Sequence, residues 1–327
     1  MNLAIVGLDH WYTAFAAIDA ARNSDAVRLV GVAELRPDRT EKVRERFPDL
    51  NVTDDPTDLL TGAEAELVAI CATTAEAPAL ARTALQNGKH VLSVKPPART
   101  LAELDEVIDI AEENGKWYGS FEGMQRLQPR NVLLRELIAG GAIGSPISYH
   151  QTGHGGLPSP WPNETGMSWW RDAAAVPGGA WIDHAIYAVD LARFVFGGEV
   201  TRAVGLMERH LHREEALEDY GVALLQVTPP GGQGIALLIE DTWAAEPGSG
   251  FHQQLFLGTR GHLRPDGRDW VVVSGGKETR HAMTDAPFFD WAAFLPTITG
   301  EVAPVFGPED ARANLAACLE VYESAAR

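Results

Sequence analysis

At 327 residues the chain exceeds what one ordinary compact core holds, so two domains are expected. Apolar residues make up 45% and charged residues 22%, a globular balance, and no apolar run approaches the ~20 residues that span a bilayer. A formal charge of −18 argues against nucleic acid or an anionic membrane as partner, since both are held by basic patches, while a small anionic ligand on a few local donors stays open.

Met1-Asn2-Leu3-Ala4-Ile5-Val6-Gly7 lacks the basic head and long apolar stretch of a signal peptide. It reads as the first strand of the fold, which predicts a cytoplasmic protein. Cys71 and Cys318 lie far apart in apolar settings, so reduced thiols are expected rather than a disulfide framework or a Cys-rich zinc site. In the first third, apolar runs at Leu3 to Val6, Val27 to Ala33, Leu67 to Cys71, His90 to Val94 and Trp117 to Phe121 suit buried strands. Between them, amphipathic patterns predict helices from Trp11 to Arg22, Pro37 to Phe47, Ala75 to Asn87 and Leu101 to Asn114. Pro37 suits a first helical turn, and Gly88 and Gly115 follow the last helical residues. Regular alternation with short links means a doubly wound parallel sheet of the Rossmann type.

From about residue 123 the rhythm changes. A helix from Asn131 to Ala139 ends at Gly140-Gly141, a Gly/Pro/Trp-rich stretch covers Gly153 to Gly179, and a long helix runs from Ala180 to Phe196. Strand-like segments follow at Val200 to His210, Tyr220 to Val227, Gly234 to Trp243, Gln253 to Leu257 and Trp270 to Val273, spaced by Gly and Pro clusters as in an antiparallel meander. A closing helix starts at Pro308. The predicted fold is α/β: an N-terminal Rossmann domain over 1–122, then an α+β domain over 123–327 with a large open, mainly antiparallel sheet.

Such a first domain binds a dinucleotide at the carboxyl ends of its strands, with the pyrophosphate over the first helix N-terminus. The first turn is Gly7-Leu8-Asp9-His10-Trp11-Tyr12, with glycine at only the first of three fingerprint positions. Asp9 would repel a pyrophosphate, but Asp also caps helices well, and the two readings coexist if the carboxylate turns away and His10 and the helix N-terminus supply donors. The expected cofactor contacts are Gly7, Leu8, Asp9, His10 and Trp11, with Ala72, Thr73 and Thr74 after the third strand. Glu34 ends the second strand, where an acidic residue holds the ribose hydroxyls of NAD and repels the 2′-phosphate of NADP. Arg36 and Arg39 keep NADP open.

Gly88-Lys89-His90-Val91-Leu92-Ser93-Val94-Lys95-Pro96-Pro97 resembles the strand and Glu-Lys-Pro turn of the glucose–fructose oxidoreductase / inositol dehydrogenase / rhizopine-catabolism (Gfo/Idh/MocA) family. Further likenesses follow in order: Gly140-Gly141-Ala142-Ile143-Gly144, Trp170-Arg171, Gly178-Gly179 leading into Asp183 and Asp190, and Val321-Tyr322-Glu323-Ser324-Ala325. The resemblance implies a Rossmann domain plus a substrate-binding domain whose open sheet often serves oligomerisation, and an NAD(P)-dependent oxidoreductase of sugars, cyclitols and related compounds. Three departures stand out: Val94 for the family's Glu, Tyr12 for the third small residue, and Tyr187 where the family places a histidine after Asp183.

Oxidising a secondary alcohol needs a hydride acceptor and a base for the hydroxyl proton. Lys95, held extended by Pro96 and expected beside an oxidised nicotinamide, suits that role, against the alternative of a surface lysine in a loop. On the long helix Asp183, Tyr187 and Asp190 fall at i, i+4 and i+7, one polar stripe. The resemblance makes Asp183 the residue that orients the substrate hydroxyl or Lys95, with Tyr187 as acid/base. His184 is either a second proton shuttle or a packing residue, and Asp190 is expected to serve structure or an ion pair with Arg193. His154, Trp170 and Arg171, with Trp161 and Trp169 nearby, offer the donors and flat rings that sugars favour, or core packing, and Arg126 is a further substrate candidate. The pairs His150/His154 and His210/His212 have spacings a metal uses but no acidic or Cys companions, so no metal is expected. An NAD(P)-dependent dehydrogenase of a sugar or cyclitol, forming a homo-oligomer, is the leading expectation; a lyase or glycosidase oxidising its substrate transiently, and a non-catalytic sensor, are the alternatives.

Overall fold

The computed structural model describes residues 1–284 and 286–326. The chain divides into two compact units, one of Met1–Met124, Ser159–Pro177 and Pro287–Arg312, the other of Gln125–Pro158, Gly178–Ala286 and Ala313–Arg327. Residues 159–177 and 287–312, far downstream of the sheet, are thus part of the first unit.

The first unit opens as β1 (Asn2–Val6), α1 (Trp11–Arg22), β2 (Arg28–Ala33), α2 (Pro37–Arg46), β3 (Val52–Thr53), α3 (Thr57–Thr61), β4 (Leu67–Ile70), α4 (Ala77–Gln86), β5 (His90–Ser93), α5 (Leu101–Glu113) and β6 (Tyr118–Ser120). The strands pair in parallel in the order β3-β2-β1-β4-β5-β6. β4 is buried throughout, as are four of the five residues of β1, which is why both read as unbroken apolar runs. Strand order reverses between β1 and β4, and ligands of doubly wound sheets bind outside the carboxyl ends at such a switch point. Gly7 follows β1 with φ +75°, and a Cβ there would stand 2.6 Å from the Ala72 side chain beyond β4. Only glycine allows the two chains to come so close.

The second unit contains α6 (Pro129–Ala139), β7 (Pro146–His154), α7 (Ala180–Phe196), β8 (Glu199–Glu208), β9 (Tyr220–Thr228), β10 (Ile235–Thr242), β11 (Phe251–Gly258), β12 (Gly261–Asp266), β13 (Asp269–Ser274) and β14 (Lys277–Ala282). α8 (Trp291–Thr299) belongs to the first unit, and α9 (Pro308–Ala325) passes from one to the other. The sheet order is β14-β13-β12-β11-β7-β10-β9-β8. The expectation of a simple meander is corrected here, because β7 inserts between β10 and β11 and runs parallel to β10. Parallel neighbours need a long connection, and α7 with β8 and β9 lies between these two in sequence. Tyr149, Leu225, Leu237, Ile239 and Phe256 are buried, and α7 packs on β7, β9 and β10. No helix among the described residues is long and apolar enough to cross a membrane.

Candidate functional site

In the first unit the turn after β1 is built around Asp9. The N-cap of α1 is His10, with no side-chain cap bond, so the expectation that Asp9 caps this helix is corrected. Its carboxylate instead turns to two guanidinium groups, Arg36 at 3.1 Å and Arg39 at 3.0 Å. Arg36 also bonds Glu76 at 2.6 Å, and Arg39 bonds Glu164 at 2.8 Å. Burial pushes the Asp9 carboxyl above its ordinary range, Arg36 and Arg39 pull it down, and the charge of Glu76 adds to the rise. The backbone of the turn is covered too: the indole N–H of Trp161 donates to Leu8 O at 3.0 Å and that of Trp169 to Asp9 O at 2.9 Å. Asp9, Arg36, Arg39, Thr73, Glu76 and Trp169 help line a cavity of about 410 Å³.

Glu34 is buried at the end of β2. One oxygen accepts the Arg36 backbone N–H at 2.8 Å, and Oε2 has no partner in the protein. Burial pushes this carboxyl up to about 7, against the Arg36 hydrogen bond. Past β4, Thr73 donates to Glu76 at 2.7 Å, while the buried Thr74 hydroxyl has no partner. Buried polar atoms left open at the carboxyl ends of β2 and β4 fit the hydroxyl and phosphate groups of a dinucleotide, because native proteins rarely leave such atoms unsatisfied.

Lys95 follows β5 and is 2% exposed. Its Nζ lies 4.5 Å from the ring centroid of Trp170, itself buried beside Trp169 and 6.0 Å from the His10 ring. His10 Nε2 is 3.2 Å from the Tyr12 hydroxyl. Trp161, Trp169 and Trp170 therefore pack in the first unit, with Arg171 ending a short 3-10 turn behind them. The first unit gathers Gly7 to Trp11, Glu34, Ala72 to Thr74, Lys95 and Trp170 at the carboxyl side of one sheet.

In the second unit the other candidates stand on α7. This helix starts at Gly179, which has no side chain to cap it, and Glu218 takes over by accepting the N–H groups of Gly179 at 2.9 Å and Trp181 at 3.2 Å. Asp183 accepts the Trp243 indole N–H at 3.0 Å. His184 Nδ1 lies 3.7 Å from Asp183 Oδ2 and 3.4 Å from Asp241 Oδ1. Residues 183, 187 and 184 fall within an arc of about 100° on a helix, so Tyr187 lies between the other two on one polar face. Asp190 is fully buried, paired with Arg126 at 2.7 Å and bonded by Gln125 and Asn314; Arg193 joins this network through Asn314. Arg126 thus supports α7 from within the unit. His154 ends β7 beside the Phe251 ring. Among the described residues no group of three His, Cys, Asp or Glu is arranged to hold a metal.

Sequence reasoning missed Asp241 and Trp243, although the signal was present. Ile235, Leu237, Ile239 and Asp241 alternate along β10, Trp243 continues the pattern just past its end, and all five are buried. An acidic residue on the covered side of an apolar strand is the kind of exception that marks a site.

Residues 1–121 match a family model described as an oxidoreductase family with an NAD-binding Rossmann fold, and residues 132–264 match the Gfo/Idh/MocA C-terminal domain. Myo-inositol 2-dehydrogenase of Thermotoga maritima is 26% identical over 61% of this chain and 56% of its own. D-glucoside 3-dehydrogenase of Escherichia coli is 26% identical over 54% of this chain and 49% of its own. The chain thus matches about half the length of these curated relatives. An Agrobacterium radiobacter oxidoreductase, crystallised with NAD+, L-tartaric acid and magnesium, shares the fold with a TM-score of 0.82 at 17% identity, covering 100% of this chain and 96% of that one. With both of its domains matched in order, this chain belongs to the Gfo/Idh/MocA family of oxidoreductases.

Proposed function

We propose that the protein is an NAD-dependent dehydrogenase that oxidises a secondary hydroxyl of a sugar, sugar derivative or cyclitol. The observation that carries this reading is Lys95. Lysine is seldom buried, and one held over an indole face at the carboxyl edge of a doubly wound sheet stands on the side where such folds bind ligands. The names of the curated relatives, inositol and glucoside dehydrogenases, support the substrate class.

Bound NAD supplies the hydride acceptor. Glu34 Oε2 takes its ribose hydroxyls, while the turn Gly7 to Trp11 and the segment Ala72 to Thr74 take its phosphates. Arg36 and Arg39 are already engaged by Asp9, Glu76 and Glu164, which leaves a 2′-phosphate without a ready cation and favours NAD over NADP. In the first unit Lys95 is assigned to polarising the substrate hydroxyl; in the second, Asp183, Tyr187 and His184, on one face of α7, are assigned to orienting the substrate and handling its proton. Both cysteines are buried thiols outside any disulfide, which suits the cytoplasm.

Lys95→Met tests this. A panel of inositols, aldoses and methyl glucosides is offered with NAD, and reduced nicotinamide is read by absorbance. A substrate from this panel is expected, with a loss of about 10³-fold in kcat in the variant and an unchanged circular dichroism spectrum. Full activity in the variant, or no NAD reduction with any polyol, overturns the reading.

A further inference from the structure

Asp241 occupies an unusual place in the large sheet. Its partner on β9 is Gly221 and its partner on β7 is Gly153, with His252 of β11 next in the same row. A Cβ at Gly153 would come within 2.4 Å of Asp241 Oδ1, so the glycine leaves the slot that the carboxylate fills. The side chain is 2% exposed. A carboxylate so deeply buried needs a donor or a cation.

His184 answers that need from α7. Its Nδ1 edge faces Asp241 at 3.4 Å and Asp183 at 3.7 Å, while 56% of the side chain stays open to solvent. Asp183 is anchored by Trp243. The histidine therefore has one nitrogen turned to buried carboxylates and a side chain that solvent still reaches. A carboxylate behind Nδ1 selects the tautomer with Nε2 unprotonated and stabilises the imidazolium that forms when Nε2 takes a proton.

We propose that Asp241 positions His184 as the acid/base group of this enzyme, with His184 Nε2 receiving the substrate's hydroxyl proton; the assignment rests on the dehydrogenase reading above. As the alcohol becomes a ketone, its O–H bond breaks toward Nε2, its C–H electron pair leaves as hydride to oxidised NAD, and the imidazolium later gives the proton to water. The charged and titratable groups around the ring are Asp183 on α7, Asp241 on β10 and His252 on β11. Burial, the charge of His184 and that of Arg130 on α6 lower the His252 pKa, so this second ring opposes the imidazolium only weakly near neutral pH.

Asp241→Asn and His184→Gln test the pair by two readouts. In nuclear magnetic resonance titration of the whole chain, the signal lost in His184→Gln identifies the imidazole, and Asp241→Asn is expected to lower its midpoint by about one pH unit. In steady-state kinetics with the polyol that reduces NAD, Asp241→Asn is expected to move the acid limb of the kcat profile by the same interval with KM for NAD unchanged. His184→Gln should cost about 10²-fold in kcat. An unmoved midpoint in Asp241→Asn overturns the pairing. A moved midpoint with an unmoved kcat profile overturns the catalytic role. Absence of NAD reduction with every polyol overturns the dehydrogenase reading and this catalytic role with it, while the titration still decides the pairing.

Discussion

Glu34 gives one oxygen to the backbone N–H of Arg36 and keeps the other buried without a protein partner. Burial places its folded pKa at about 7 against 4.5 in an open chain. Between those values the folded protein holds a proton that the unfolded chain has lost, so stability is greatest below 4.5 and declines as pH rises toward 7. At about 1.4 kcal/mol per unit the whole effect is at most ~3.5 kcal/mol. Urea unfolding at pH 5 and pH 8 reads it: Glu34→Gln should remove most of the decline, and equal declines in both proteins would refute the assignment. Ribose hydroxyls donating to Glu34 favour its charged form, so NAD binding should release a proton near neutral pH. Calorimetry in buffers of different ionisation enthalpy measures that release, which Glu34→Gln should abolish.

At the next scale, the start of α7 shows why two glycines and a distant tyrosine go together. A Cβ on Gly178 would fall 1.9 Å from the Tyr322 hydroxyl, and one on Gly179 would fall 2.3 Å from Glu218 O. Tyr322 on α9 donates to Glu218 at 2.6 Å, and Glu218 holds the first N–H groups of α7. Tyr322→Phe removes one hydrogen bond and leaves a buried acceptor, an expected loss of about 1–3 kcal/mol. Gly178→Ala must push backbone and ring apart and should cost more. Thermal unfolding of both variants checks this order, and a stability loss in Tyr322→Phe equal to or above that in Gly178→Ala would contradict it. The parallel sheet was legible because its strands are apolar runs and the helices between them end at glycines such as Gly88 and Gly115, which adopt φ +75° and +61°. β7 was missed because its covered side carries Tyr149 and Gln151, polar groups satisfied by each other and by Gln254, so it lacks an apolar alternation. The two residues of β3 and five of α3 are too few to show a period, and β14 is an edge strand of mostly polar residues. At the site, Glu34 and Lys95 could be read from their positions after strands. The ion pairs of Asp9 could not, because Arg36 and Arg39, with Glu76 on the far side of Arg36, come together only when β1, β2 and β4 are laid side by side.

For the whole molecule, the side of the large sheet away from the buried row carries apolar side chains left open to solvent among the described residues. Val204, Leu224 and Leu238 are exposed and directly opposite one another on β8, β9 and β10, and the row continues through His150 of β7 to Leu255 of β11. Leu206 adds to the same patch from β8. Contiguous apolar surface of this kind marks an interaction face, and the −18 charge of the chain opposes non-specific clustering while permitting a specific apolar contact. A second copy of the chain is the simplest occupant, since a two-fold axis through the sheet would set each row against its equivalent. Leu224 would then be buried twice, once from each side. Burying a leucine is worth about 1.5–3 kcal/mol, and a glutamate in its place adds the cost of an unpaired charge. Leu224→Glu should therefore weaken association by more than about 4 kcal/mol, roughly a thousandfold in Kd. Sedimentation equilibrium should find the native protein at a multiple of 35.4 kDa and the variant at that mass. A native protein that sediments as a monomer, or a variant that associates as tightly as the native chain, would show that this row has another purpose.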